Sequence, residues 1–316
     1  MRSIQLSGKS LKLSCLAVVI AGLSACGSDS YSGSGAATTN TATAGTGKFS
    51  LAVTDAPIDS ADHVVVQFTG VEIKPKDGAA KTFTFAQPKS IDLLKQQGGN
   101  SAPLLTDESL AAGEYESIRL AVKSVEGEQD TYIVVSGAEH EMEVPSGSTS
   151  GLKLNASDDN PITVPADGAA SFTIDFDLRH SIVHTGNDKY KLKPVLRLIN
   201  NTGSATVKGT VDATTLVSAQ CANASLNAGA VYLFTSHDVT PDDVDGQSPE
   251  PIASAKVNYN EQTAVYEYVA AFIKAGNYTL SYTCGDDNAE VDDALTFAAT
   301  RNITLAESET QTQNLQ

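Results

Sequence analysis

Apolar and polar residues alternate along most of this chain with a period of two, the signature of half-buried β-strands. Phe49, Leu51 and Val53 alternate with Ser50, Ala52 and Thr54 before Asp55-Ala56-Pro57 breaks the run. His63–Lys74 predicts a longer strand, and Gly70 inside it predicts a bulge or bend. A turn at Pro75–Gly78 leads to a return strand at Lys81–Phe85, and strands follow at Tyr115–Val125 and Thr131–Val135. Ser171–Arg179 is the clearest case: Phe172, Ile174, Phe176 and Leu178 face one way, and Thr173, Asp175, Asp177 and Arg179 the other. Gly186-Asn187-Asp188 then turns the chain into a strand at Tyr190–Asn200. Only Ser90–Gln97 and Asp107–Ala112 leave room for a helical turn. After a polar break at Asn200–Ser204, alternation resumes at Thr206–Val211, Ala230–Phe234, Ala264–Phe272 and Asn277–Cys284. Many short strands separated by turns predict an all-β chain with two β-sandwich domains, Ig-like or transthyretin-like, at 48–202 and 203–316.

The first 47 residues follow another rule. Arg2, Lys9 and Lys12 make a basic start, and Leu13–Gly22 is an apolar stretch. A membrane-spanning helix needs roughly 20 apolar residues, so this stretch fits a cleavable export signal instead. Leu23-Ser24-Ala25-Cys26 resembles the lipobox of bacterial lipoproteins. That resemblance implies a signal peptide at 1–25, cleavage between Ala25 and Cys26, and lipidation of the Cys26 thiol. More than one acyl chain holds a protein stably on a bilayer, and the lipoprotein modification supplies them. The same resemblance implies, from Gly27 after the cysteine, the outer membrane of a Gram-negative cell. Residues 26–47 then form a lipidated cysteine and a Ser/Thr/Gly-rich linker, too poor in apolar residues to fold.

Two family resemblances rest on longer stretches. LAVTDAPIDSADHVVVQFTGVEIKPKDG (51–78), AGEYESIRLAV (112–122) and FDLRHSIVHTGNDKYKLKPVLRLI (176–199) resemble a bacterial lipoprotein domain of unknown function, number 4382 in its series. The resemblance implies a secreted or lipid-anchored β-rich module and no particular activity. Further on, the order V-x-G-x-V, A-V-x-L and A-G-x-Y-T-L-x-Y resembles the transthyretin-like, or carboxypeptidase regulatory-like, sandwich. That implies a non-catalytic accessory module.

Charge and cysteines narrow the picture. The formal net charge is −17, and removal of the signal with its three basic residues takes it to −20. Such a surface repels phosphate backbones, so nucleic acid is excluded as a partner. The expected partners are the membrane, through the anchor, and an envelope protein or glycan. Cys15 falls in the signal and Cys26 is the anchor. Cys221 and Cys284 remain in one domain of an exported chain, a context that favours a disulfide.

Candidate chemistry is sparse. Asp175 and Asp177 share a strand face and could act as paired carboxylates in a hydrolase, but a solvated face balanced by Arg179 is the simpler reading. His180 and His184 have the spacing of helical zinc ligands, yet on a strand they lie about 13 Å apart. No G-x-S-x-G elbow or glycine-rich phosphate loop is present. The acidic loops remain. Asp242, Asp243 and Asp245 form one group; Asp286 and Asp287, with Glu290, Asp292 and Asp293, form another. Calcium takes several carboxylates from flexible loops, so these are candidate ligands. The simpler reading is an acidic edge that keeps the protein soluble and blocks strand-to-strand aggregation. The chain therefore reads as a membrane-anchored, non-enzymatic envelope lipoprotein. A calcium-assisted, adhesin-like surface protein is the first alternative and a carboxylate hydrolase the second.

Overall fold

The computed structural model describes residues 45–56, 61–145, 150–186, 189–221, 228–285 and 287–316. The signal segment, Ala25, Cys26, most of the linker and Asp286 lie outside these residues. The described residues fall in one compact unit. Within it, four sheets enclose two main apolar cores, one built from residues 49–198 and the other from residues 205–315. The described residues are all-β apart from short helical turns.

In the first module, Thr46–Ala56 pairs parallel with Ala169–Asp177 and antiparallel with Ala102–Ala111. Val195–Asn200 adds to the far side of Ala169–Asp177. A nine-stranded sheet packs against this one, centred on His63–Pro75 and Gly113–Lys123. Phe49 stacks on Phe172 within one sheet, and Phe68 meets Phe176 edge-on across the core, ring centres 6.1 Å apart. Each fully buried ring contributes roughly 1.5–3 kcal/mol. Gly70 sits at the predicted irregularity, where the pairing register shifts between Phe68 and Gly70. A Cβ there would lie 2.5 Å from the Phe83 carbonyl oxygen, so only glycine lets the two backbones approach.

The second module is a sandwich of two four-stranded sheets. One contains Asn258–Asn260, Val265–Ile273, Ala205–Val211 and Thr310–Thr312; the other contains Ala253–Lys256, Ala230–Thr235, Gly276–Thr283 and Phe297–Leu305. Val207, Tyr268, Val231, Leu233, Leu280 and Tyr282 fill the space between them. Cys221 and Cys284 are joined by a disulfide with Cα atoms 5.2 Å apart.

Both modules repeat one local device. In Ala111-Ala112-Gly113-Glu114-Tyr115 the tyrosine hydroxyl donates to the carbonyl four residues earlier, Tyr115 Oη to Ala111 O at 2.7 Å. In Lys274-Ala275-Gly276-Asn277-Tyr278 the same bond runs from Tyr278 Oη to Lys274 O, also at 2.7 Å. Each pins the entry of a core strand in the manner of a tyrosine corner.

Several local expectations change. Asp107–Ala112 is no helix: Ala102–Ala111 is a strand, with Asp107 at φ 50° where its pairing is irregular. Within Ser90–Gln97 only Leu93–Lys95 forms a 3₁₀ turn. Tyr190–Asn200 splits at Lys193-Pro194 because proline has no N–H for a ladder. Ser171–Arg179 stops at Asp177, which caps a helical turn over Leu178–Ser181.

Candidate functional site

At Asp175 the outer face of Ala169–Asp177 is covered, and the counterion there is Arg197 and not Arg179. Asp175 is 8% exposed. It stands opposite Arg197 in the sheet register and accepts from Arg197 Nη2 at 2.8 Å and Nε at 3.2 Å. Burial pushes its carboxyl up despite that guanidinium. The physical reason is a neighbour the strand pattern could not reveal. The second module's Ser254 and Ile252 approach this face, enclosing a cavity of about 190 Å³ with Asp175, Asp177, Arg179 and Arg197.

Asp177 is committed elsewhere. Its carboxylate accepts from the His180 backbone N–H at 3.2 Å and meets His180 Nδ1 at 2.7 Å. Burial raises its pKa, but the His180 hydrogen bond and charge outweigh burial and hold it below the ordinary value. Asp55 lies on the neighbouring strand, held by Gln97 Nε2 at 3.1 Å. Burial drives its pKa well above its ordinary value, and its Oδ1 has no hydrogen-bond partner. These acids are parts of a polar seam between the modules. His184 instead stacks on Tyr190, so the two histidines serve separate contacts.

The acidic loops are brought together, by a route the strand pattern alone does not show. Ala230–Thr235 is buried on both faces along nearly its whole length. One face joins the sandwich core. The other, with Ala230, Tyr232 and Phe234, is covered by Val239 and Val244 from one acidic loop and Ala289 and Leu295 from the other. Burial of these few apolar residues folds both loops over the same sheet, and their carboxylates converge there.

Asp243, Asp287 and Asp293 each offer an oxygen within 4.8 Å of the others. Asp243, Asp245 and Asp292 form a second, more exposed group of the same kind. Asp243 belongs to both. It is 1% exposed, its Oδ2 accepts from the Asp293 N–H, and its Oδ1 has no hydrogen-bond partner. Asp287 is held from several sides. It accepts from Tyr232 Oη, from Arg179 Nη1 at 3.2 Å, and from the Val244 N–H at 3.3 Å. Burial raises its pKa, against the Tyr232 and Arg179 interactions, and the nearby Asp243 charge raises it further. Of the sequence candidates, Asp243, Asp245 and Asp287 join the clusters. Asp242 does not, because its Oδ1 turns back to accept from the Asp243 N–H at 3.2 Å. Asp286 lies outside the described residues.

Residues 46–194 match the model of a domain of unknown function, DUF4382. No curated protein matches the chain. Among solved structures, a leucine-rich repeat protein from Bacteroides thetaiotaomicron is 12% identical, with 85% of this chain and 26% of that one covered and a TM-score of 0.22. The TIE protein of Bacillus anthracis is 10% identical, with 86% and 34% covered and a TM-score of 0.19. The minor pilin GBS52 of Streptococcus agalactiae is 11% identical, with 84% and 94% covered and a TM-score of 0.19. The chain thus spans about a quarter and a third of the first two, and likenesses this slight carry no argument about it.

Proposed function

We propose that the chain bearing this DUF4382 domain is a non-enzymatic lipoprotein of a bacterial envelope. It is cut between Ala25 and Cys26, anchored by lipid at Cys26, and displays β modules for binding or structural support. One observation carries the non-enzymatic part: the candidate catalytic acids are spent on structure. Asp175 is bound to Arg197 and Asp177 to the helical cap and His180. Hydrolysis needs carboxyls free to exchange protons or attack substrate in a cleft. For the anchor, the support is the order of basic start, short apolar stretch and lipobox. No helix among the described residues is long and apolar enough to cross a membrane. The second module is proposed to be a transthyretin-like accessory sandwich.

Mass spectrometry of the chain recovered from its own envelope tests the anchor. The expected product begins at Cys26 and carries acyl chains, and Cys26→Ser releases the protein from the membrane fraction. An unmodified amino terminus on membrane-free protein overturns this reading. For the chemistry, turnover of glycan or ester substrates that Asp175→Asn abolishes would establish a hydrolase instead.

A second reading gives calcium a part in holding a glycan or protein partner. It is favoured by the buried Asp243 carboxylate, whose Oδ1 lacks a partner within the acidic cluster. Binding of an envelope partner that disappears on chelation is its test.

A further inference from the structure

We infer that Asp243, Asp287 and Asp293 bind one calcium ion, and that this ion clamps the second module's acidic loops to the first module through the shared residue Asp287. The inference builds on the calcium reading above and gives the ion a structural task in place of contact with an external ligand.

The geometry fits. Calcium–oxygen distances run about 2.3–2.6 Å. Two ligands on opposite sides of the ion therefore stand about 4.6–5.2 Å apart, and adjacent ones closer. The three carboxylates offer oxygens within 4.8 Å of one another. Calcium completes its usual six to eight oxygens with carbonyls and water.

Charge and burial point the same way. A buried carboxylate oxygen without a partner is costly, and such groups call for a compensating ion or bond. Asp243 Oδ1 is one, on a residue 1% exposed. Among the described residues, the cation paired with this trio is Arg179, on Asp287. One guanidinium against three carboxylates leaves an excess of negative charge that a divalent cation matches.

The placement supplies the clamp. Arg179 lies in the helical turn Leu178–Ser181 that follows the first module's strand, and it reaches Asp287 on the second. Asp287 also receives the Val244 N–H, next to Asp243 in the other acidic loop. An ion on this trio would fix both loops and orient Asp287 towards Arg179. An external ligand does not reach the Asp287 carboxylate, whose side chain is 0% exposed.

The test uses the full chain in detergent, stripped with a chelator and titrated with calcium chloride alone. Calorimetry should show binding with a Kd of about 10⁻⁴–10⁻³ M, the range of extracellular modules. Asp243→Asn and Asp293→Asn should each weaken it at least tenfold. In chelator, Asp243→Asn should be no less stable than the parent, because it removes a buried charge; a merely structural aspartate would instead be missed there. Hydrogen exchange should slow at least tenfold on adding calcium, both in loops 239–246 and 287–295 and at Arg179–Ser181. No binding by the parent chain overturns the site and leaves the anchored, non-enzymatic reading intact. Binding that protects the loops but leaves Arg179–Ser181 unchanged keeps the site and overturns the clamp.

Discussion

Arg179 and Asp287 lie 108 positions apart in the chain and meet at 3.2 Å, with side chains 7% and 0% exposed. The guanidinium also lies over the Tyr232 ring, 5.4 Å from its centre, and Tyr232 donates to the same carboxylate oxygen. An aromatic, a cation and an anion thus form one buried unit across the two modules. Removing one partner of such a pair leaves the other charged and unsolvated, at a cost of about 3–5 kcal/mol. Arg179→Met should therefore lower unfolding stability by about that amount in urea titrations. Replacing both, with Asp287→Leu, should cost clearly less than the single change, because no orphan charge remains.

This pair marks where sequence reasoning stops. Period-two alternation placed most described strands of the first module and four of the eight of the second, since each of these exposes one face to a core. It misjudged the outer face of Ala169–Asp177, because alternation reports polarity and not the neighbour that covers it. Asp175 looked solvated and is buried with Arg197. Ala230–Phe234, expected as an alternating strand, does not alternate: its five consecutive apolar residues mean a strand covered on both sides, and its second cover is the acidic loops. The short strands Leu152–Asn155 and Ile162–Val164 went unseen because three or four residues give too little periodicity. The helical turn Ala213–Ser218 had a legible cap in Asp212, whose carboxylate accepts from the Thr214 N–H at 2.8 Å. The shared A-G-x-Y spacing is also legible in both modules, at Ala112–Tyr115 and Ala275–Tyr278.

The two tyrosine corners make a matched pair for mutation. Tyr115→Phe and Tyr278→Phe keep the ring and delete only the hydroxyl that bonds the carbonyl four residues upstream. A typical net hydrogen bond is worth about 0.5–1.5 kcal/mol. Each change should destabilise its own module by that order. Residue-resolved hydrogen exchange should show the loss around Tyr115 for one variant and around Tyr278 for the other. Equal loss in both places would mean the two cores unfold as a single cooperative body.

The polar seam should give the protein a measurable pH dependence. Burial raises the Asp55 pKa well above its value in an unfolded chain, with help from Asp175 and Asp177. The folded state then holds a proton that the unfolded state releases. The stability from this group is fully present below the ordinary aspartate range and is lost as pH rises through the raised folded value. Asp55→Asn supplies a neutral side chain that can still accept from Gln97. The variant should match the parent near pH 4 and exceed it at pH 8 by about 1 kcal/mol or more. Urea midpoints across that range check the sign, and a variant weaker than the parent at pH 8 would show that the Asp55 charge stabilises the seam.

The disulfide offers the sharpest contrast between the modules. Cys221 follows the helical turn Ala213–Ser218, and Cys284 follows the core strand Gly276–Thr283, 63 positions later. The segment between them contains Ala230–Thr235, Ala253–Lys256 and Val265–Ile273, so the link restrains strands of both sheets of that sandwich. In the chain-entropy picture, cutting a loop of this length frees the unfolded chain by about 4 kcal/mol. The double change Cys221→Ser with Cys284→Ser should therefore destabilise the second module by about 2–5 kcal/mol. None of the first module's core is tied to this link, so amides of Phe68 and Val71, buried in that core, should keep their exchange protection while those of Leu233 and Leu280 lose it. Denaturant titration of the oxidised parent against the reduced parent should reproduce the same difference, since reduction removes the bond and leaves the sequence intact. A variant whose second module is as stable as the parent's would show that its sandwich core alone, with Tyr268 and Tyr282 at its centre, suffices to hold it.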